Sequence, residues 1–338
     1  TKIGLGGGAN DKEFDGTVVV NLADEAGSSD TVTFVLNEGD GDEDVDATLQ
    51  VGTGSTGLTT GTISTGVEKT VIAVDDDTNN ANVKLDVTAV ASAELEITGG
   101  QATGQTEILN LGTLNAKTTT VTASPFTGLL TVTGSASATN MSVKQGNVNN
   151  TIVLGGKNDT LTLGKLGSDD ADGGAGTGDT LNATIAVNQT EATTNFEVIN
   201  YTIANNLDAT VTEANGAGID GAVTFNLKGG DALSTWTHTL HSPAALTTYN
   251  MADFAGASTT VNMLGGANSL ASLTITGSAG ADTLRYEAAT GALAVKAVTA
   301  VETLQIDAVG DTSIDIAKLS GLTTVKTDDD GTARNVTL

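Results

Sequence analysis

The feature that most constrains the fold is a short pattern that returns along the chain: an apolar residue, a glutamate, then apolar residues at every second position. It reads Val67-Glu68-Lys69-Thr70-Val71-Ile72, Phe196-Glu197-Val198-Ile199-Asn200-Tyr201 and Val301-Glu302-Thr303-Leu304-Gln305-Ile306, with a looser copy at Glu107-Ile108-Leu109-Asn110-Leu111. A period of two is that of a strand with one buried face. Short Thr/Val runs add further strands at 17–20, 31–36, 130–133, 259–263 and 273–276. The only helix signal is Ser242-Pro243-Ala244-Ala245-Leu246, where Ser242 would cap and Pro243 would open a short helix.

Glycine turns separate these strands. Gly277-Ser278-Ala279-Gly280-Ala281-Asp282-Thr283-Leu284 approaches the pattern G-G-x-G-x-D-x-U-x, with U a large apolar residue. The glycines permit a tight bend, while their carbonyls and the Asp282 carboxylate are hard oxygen ligands suited to Ca2+. Gly173-Gly174-Ala175-Gly176-Thr177-Gly178-Asp179-Thr180-Leu181 has the same framework with one extra residue before Asp179. Gly155-Gly156-Lys157-Asn158-Asp159-Thr160-Leu161 carries Lys157 where a glycine is usual, and Gly6 to Asp11 carries Ala9. The candidate metal ligands are therefore Asp282 with Gly277 and Gly280, Asp179 with Gly174 and Gly176, Asp159 with Gly155, and Asp11. The plain alternative at each is a tight turn that leads into a strand.

Asp40, Asp42 and Asp44 alternate in the run Glu38 to Asp46, a spacing that would turn successive carboxylates toward one cation. No helix flanks that run, so an EF-hand is not expected; a loop around calcium and a solvated acidic loop remain the two readings. Asp75-Asp76-Asp77, Asp169-Asp170-Ala171-Asp172 and Asp328-Asp329-Asp330 are strand exits whose neighbouring carboxylates repel by roughly 1 kcal/mol per close pair in water-like dielectric.

Composition narrows the function. Acidic residues number 41 against 14 basic ones, a net charge of −27 that disfavours nucleic acid and anionic lipid as partners. There is no cysteine, so disulfides cannot stabilise the fold, whereas a cation between carboxylates would. Aromatics are 3% of the chain, which leaves Val, Leu, Ile and Ala to build a thin, layered core. No apolar run reads as a membrane span or signal peptide. The two histidines, His238 and His241, form no catalytic motif, and Arg285 and Arg334 are the only arginines. The chain does not read as an enzyme.

These residues predict an all-β chain. The irregular spacing favours a parallel β-helix or β-roll-like solenoid with variable rungs, with tandem β-sandwich modules as the alternative. A composition change near Gly146-Asn147-Val148 suggests an acidic N-terminal domain over 1–145 and a domain with the Gly-Asp turns over 146–338.

On the turns Gly277–Leu284, Gly173–Leu181 and Gly155–Leu163, the strands Phe196–Tyr201 and Val301–Ile306, and the acidic, cysteine-free, Thr/Gly-rich background, the sequence resembles the RTX-type surface-layer proteins of Gram-negative bacteria. It departs from them in lacking a tandem array of nonapeptides. The resemblance implies a structural lattice subunit exported by type I secretion, calcium-binding, self-assembling on the cell surface, with lipopolysaccharide as anchor and its own copies as partners. The alternative function is a segment of a large RTX adhesin that binds glycans or another cell.

Overall fold

The computed structural model describes residues 2–6, 14–22, 29–37, 45–53, 67–75, 82–100, 108–123, 125–134, 140, 142–145, 150–166, 170–186, 189–213, 222–241, 245–264, 271–327 and 336–337. The chain is all-β: strands run in parallel and stack as a solenoid. The one helical turn among the described residues is Ile316–Lys318. The predicted helix start at 242–244 lies outside the described residues. Every described pairing is parallel, which rules out antiparallel β-sandwich modules.

The chain divides into two compact units, one of Thr1–Gly164 with Asp169–Asp179 and one of Lys165–Ser168 with Thr180–Leu338. In each, successive strands alternate between two sheets, so one rung is a strand, a turn, a second strand and a second turn. In the N-terminal unit the first sheet takes, in order, Lys2–Gly6, Thr31–Asn37, Lys69–Asp75, Glu94–Gly99, Thr120–Ala123, Ser142–Gln145 and Thr160–Leu166. Its second sheet takes Phe14–Leu22, Val45–Thr53, Asn82–Val90, Ile108–Thr113, Leu129–Thr133, Thr151–Val153 and Asp170–Asp172. In the C-terminal unit the first sheet takes Thr180–Ile185, Val198–Ile203, Thr224–Gly229, Thr248–Phe254, Thr274–Thr276, Ala297–Thr299 and Leu319–Ser320. Its second sheet takes Gln189–Thr194, Asp208–Glu213, Thr235–His241, Ser258–Leu264, Ala281–Leu293, Thr303–Ile314 and Thr324–Thr327, and Val336–Thr337 adds to Thr303–Ile314.

Parallel sheets need both faces covered or one face polar. Period-two alternation supplies the second solution. Strands such as Thr180–Ile185 and Ser258–Leu264 bury every second residue. The buried positions then align from rung to rung. Leu181, Ile199, Phe225, Tyr249, Ile275 and Val298 form one such column, each at most 1% exposed. In the N-terminal unit the equivalent column is Val32, Thr70, Leu95, Val121, Val143 and Leu161. Its one polar member, Thr70, is satisfied by Ser92 Oγ at 2.6 Å.

Glycine closes the strands where the backbone must turn left-handed. At Gly229, φ is +78° and a Cβ would lie 2.7 Å from the Ile203 carbonyl of the previous rung. Tight turns of this kind let a rung change direction without a wide loop.

Part of the C-terminal core is aromatic. Tyr201, Phe225, Trp236, His238 and Tyr249 pack together with ring centroids 4.5 to 6.5 Å apart. Trp236 Nε1 donates to Tyr249 Oη at 3.2 Å, and Tyr249 Oη lies 2.8 Å from His238 Nδ1. Burial holds the His238 pKa down at about 3.

Candidate metal-binding turns

Three acidic pairs sit at strand starts on neighbouring rungs and share one contact. The backbone N–H of the first acid donates to the carboxylate of the second: Asp30 to Glu68 Oε2 at 2.7 Å, Asp159 to Asp179 Oδ1 at 2.6 Å, and Asp282 to Glu302 Oε2 at 2.8 Å. Glu68 and Glu302 are the glutamates of the recurrent apolar-Glu pattern. The apolar residue before each, Val67 or Val301, is buried and fixes the strand entry. The glutamate thus satisfies a backbone donor that the bend would otherwise leave unpaired.

The turns at Gly155–Leu163 and Gly173–Leu181 are brought together on successive rungs. Asp159 and Asp179 are 1% and 0% exposed. Gly155 N–H donates to Asp159 Oδ2 at 2.9 Å, and the Gly155 carbonyl accepts from Ala175 N–H at 3.0 Å. Gly174 N–H donates to Asp172 Oδ1 at 2.9 Å. The glycines are sterically required. Gly174 has φ +89° and a Cβ there would lie 2.1 Å from the Gly155 carbonyl, while a Cβ on Gly176 would lie 2.3 Å from an Asp179 carboxylate oxygen. The result is two neighbouring turns, each with a buried carboxylate that accepts a backbone N–H and offers oxygen as a ligand atom. That chemistry fits a hard cation.

The turn at Gly277–Leu284 is built differently. Asp282 is 1% exposed and its carboxylate is filled by protein donors. Ser278 N–H donates to Oδ2 at 2.6 Å, Ser278 Oγ reaches Oδ1 at 2.9 Å and Oδ2 at 3.2 Å, and Thr259 Oγ1 donates to Oδ1 from the preceding rung. Burial pushes the Asp282 carboxyl above the usual range; the Thr259 and Ser278 hydrogen bonds oppose this, and the nearby Glu302 charge adds to it. A Cβ on Gly277 would lie 1.7 Å from the Ala300 carbonyl, and one on Gly280 would lie 2.5 Å from the Gly256 carbonyl. These glycines serve close rung contact. With its lone pairs directed at hydroxyl and amide hydrogens, Asp282 ties its own turn to the preceding rung.

Asp11, Asp40, Asp42 and Asp44 lie outside the described residues, as do Asp76, Asp77, Asp169 and Asp328–Asp330. Among the described residues no three His, Asp or Glu side chains converge, so a cation at the Asp159–Asp179 turns would draw its remaining ligands from backbone carbonyls and water. His238 belongs to the aromatic core.

No protein-family model, curated protein or solved structure matches this chain.

Two outward-facing arrays escaped the sequence reading. On the first sheet of the C-terminal unit, Asn182, Asn200, Asn226 and Asn250 stand in register. Each amide donates to the one before it, at 2.9, 2.8 and 3.5 Å. On the second sheet, Thr210, Thr237, Thr260, Thr283, Thr303 and Thr324 form an unbroken column. The signal for both was present as an Asn or Thr one place before or after a buried residue. Rungs of unequal length hid the register.

Proposed function

We propose that this chain is a calcium-binding structural subunit of a cell-surface layer, secreted and self-assembling, of the kind found among RTX-type surface-layer proteins. The observation that carries the reading is that the turns Gly155–Asp159 and Gly173–Asp179 meet, each with a buried carboxylate, the Asp159 backbone N–H donating to the Asp179 carboxylate. In a β-roll a cation site takes one half from each of two neighbouring turns. Asp159 and Asp179 would hold calcium here, with carbonyl oxygens of the glycine turns. The ion would neutralise two buried negative charges that otherwise oppose folding. The acidic surface supports the same reading: a net charge of −27 keeps copies apart until divalent cations screen or bridge it. Lipopolysaccharide, itself bridged by divalent cations, is the proposed anchor.

Calorimetry with calcium and with EGTA tests this, followed by negative-stain microscopy of both samples. Extracellular calcium modules bind at about 0.1–1 mM, and one site at about 100 times its Kd adds about 2.7 kcal/mol. Calcium should raise Tm and yield sheets, and Asp159→Asn with Asp179→Asn should remove the rise in Tm. An unchanged Tm and an unchanged assembly state after chelation would overturn the proposal.

A further inference from the structure

The charge on this protein is unevenly placed. The outward positions of the six strands Thr180–Ile185, Val198–Ile203, Thr224–Gly229, Thr248–Phe254, Thr274–Thr276 and Ala297–Thr299 are almost wholly neutral. One column runs Thr180, Val198, Thr224, Thr248, Thr274 and Ala297, and the next is the asparagine ladder continued by Thr276 and Thr299. Among the described outward residues of these strands, the charged ones are Lys228 and Asp253, which are register partners of opposite sign at one margin. The second sheet of the same unit differs: Asp208, Arg285, Asp307 and Lys326 all lie on it, and Arg285 pairs with Asp307 at 2.6 Å.

We propose that this neutral Asn/Thr face is a contact surface for a second copy of the chain. Two copies with a net charge of −27 each repel wherever their carboxylates approach within a Debye length, about 8–10 Å. A face whose one described outward carboxylate, Asp253, stands beside Lys228 at the margin lets two copies touch while keeping most facing charges beyond that distance. The chemistry is self-complementary as well. An asparagine amide has two N–H donors and an oxygen with two lone pairs. Between rungs the ladder uses one donor each of Asn200, Asn226 and Asn250 and one lone pair each of Asn182, Asn200 and Asn226, while Asn250 Oδ1 accepts from Ala252 N–H; an amide has further donors and lone pairs to offer a partner. A copy related by a two-fold axis presents the matching row.

The size of the face sets the strength. Four strands of about 20 Å and two of about 10 Å, spaced about 4.8 Å apart, give roughly 480 Å² per copy, so a pair buries roughly 960 Å², in the range of weak contacts. Such a contact is weak alone and strong when repeated across a sheet. The inference rests on the lattice reading for the identity of the partner, and it is independent of where calcium binds.

Sedimentation velocity of the full chain over a range of concentrations, in calcium and in EGTA, tests it. Thr224→Glu with Thr274→Glu places carboxylates on alternate rungs of the face. Thr237→Glu with Thr283→Glu places the same charge on the second sheet as a control. The expected result is association of the wild type and the control, with at least a tenfold weaker association for the face variant. Hydroxyl-radical footprinting of the wild type needs no variant and should show Val198 protected on association. A wild type that stays monomeric throughout, a face variant that associates like the wild type, or a control equally impaired would overturn the inference. So would saturable binding of a neutral β-glucan with no self-association. If EGTA leaves Tm unchanged while the face variant still loses association, the calcium reading fails and the contact stands. If calcium raises Tm in both variants and neither loses association, the contact fails and calcium stands.

Discussion

Mild acid should weaken the C-terminal unit through one side chain. His238 is fully buried against Phe225, Trp236 and Tyr249, and its pKa is held at about 3. In the unfolded chain a histidine titrates near 6.5. Between those values the unfolded state binds one proton more than the folded state, so stability rises with pH. The contribution is complete above about pH 6.5 and is lost as pH falls toward 3, with a slope near 1.4 kcal/mol per pH unit. The sequence pI of about 4.1 limits work near that value. From pH 6.5 to 5 the loss is about 2 kcal/mol. Trp236 is the only tryptophan and lies in the same cluster, so its fluorescence in urea titrations reports the relevant core. His238→Gln removes the titration. It lowers absolute stability, and the informative quantity is the pH slope. The wild type should lose about 2 kcal/mol more than the variant between pH 6.5 and 5. Parallel pH profiles for the two proteins would refute the assignment of a neutral, buried imidazole.

Two further perturbations address the turns. Gly174→Ala meets both a positive φ and the Gly155 carbonyl, and should cost about 1–3 kcal/mol by chemical denaturation; a neutral result would mean that the turn is not held in this geometry. Asp282→Ala strips the acceptor from Ser278 N–H, Ser278 Oγ and Thr259 Oγ1, and should cost about 3 kcal/mol or more in any concentration of calcium. If added calcium stabilises the wild type but not this variant, Asp282 is a metal ligand and not only a tie between rungs.

Much of this fold was readable in the sequence because strand periodicity is local. Val198-Ile199-Asn200-Tyr201 and Thr303-Leu304-Gln305-Ile306 announce one buried face with no knowledge of the rest, and the structure buries Ile199, Tyr201, Leu304 and Ile306. Parallel stacking was the better of two architectures on irregular spacing alone. What the sequence could not give was register, because that depends on how many residues each turn absorbs. The asparagine ladder skips 18, 26 and then 24 residues, so no fixed period reveals it. The same limit applies to the Gly-Asp turns. Asp159, Asp179 and Asp282 look alike in sequence, yet the Asp282 carboxylate is met by Thr259 from the rung before it, whereas the Asp179 carboxylate is met by the backbone N–H of Asp159. The glutamates of the recurrent pattern were legible as markers and not as hydrogen-bond acceptors, since the N–H that each receives belongs to a residue 38 positions away for Glu68 and 20 for Glu302.

Unequal spacing between aligned asparagines has an evolutionary consequence. Extra residues enter at the bends and leave the columns beneath untouched, so the rims can diversify while the interior stays fixed. Selection acting on such a molecule can rewrite what its edges display, rung by rung, without asking the hydrophobic stack to repack.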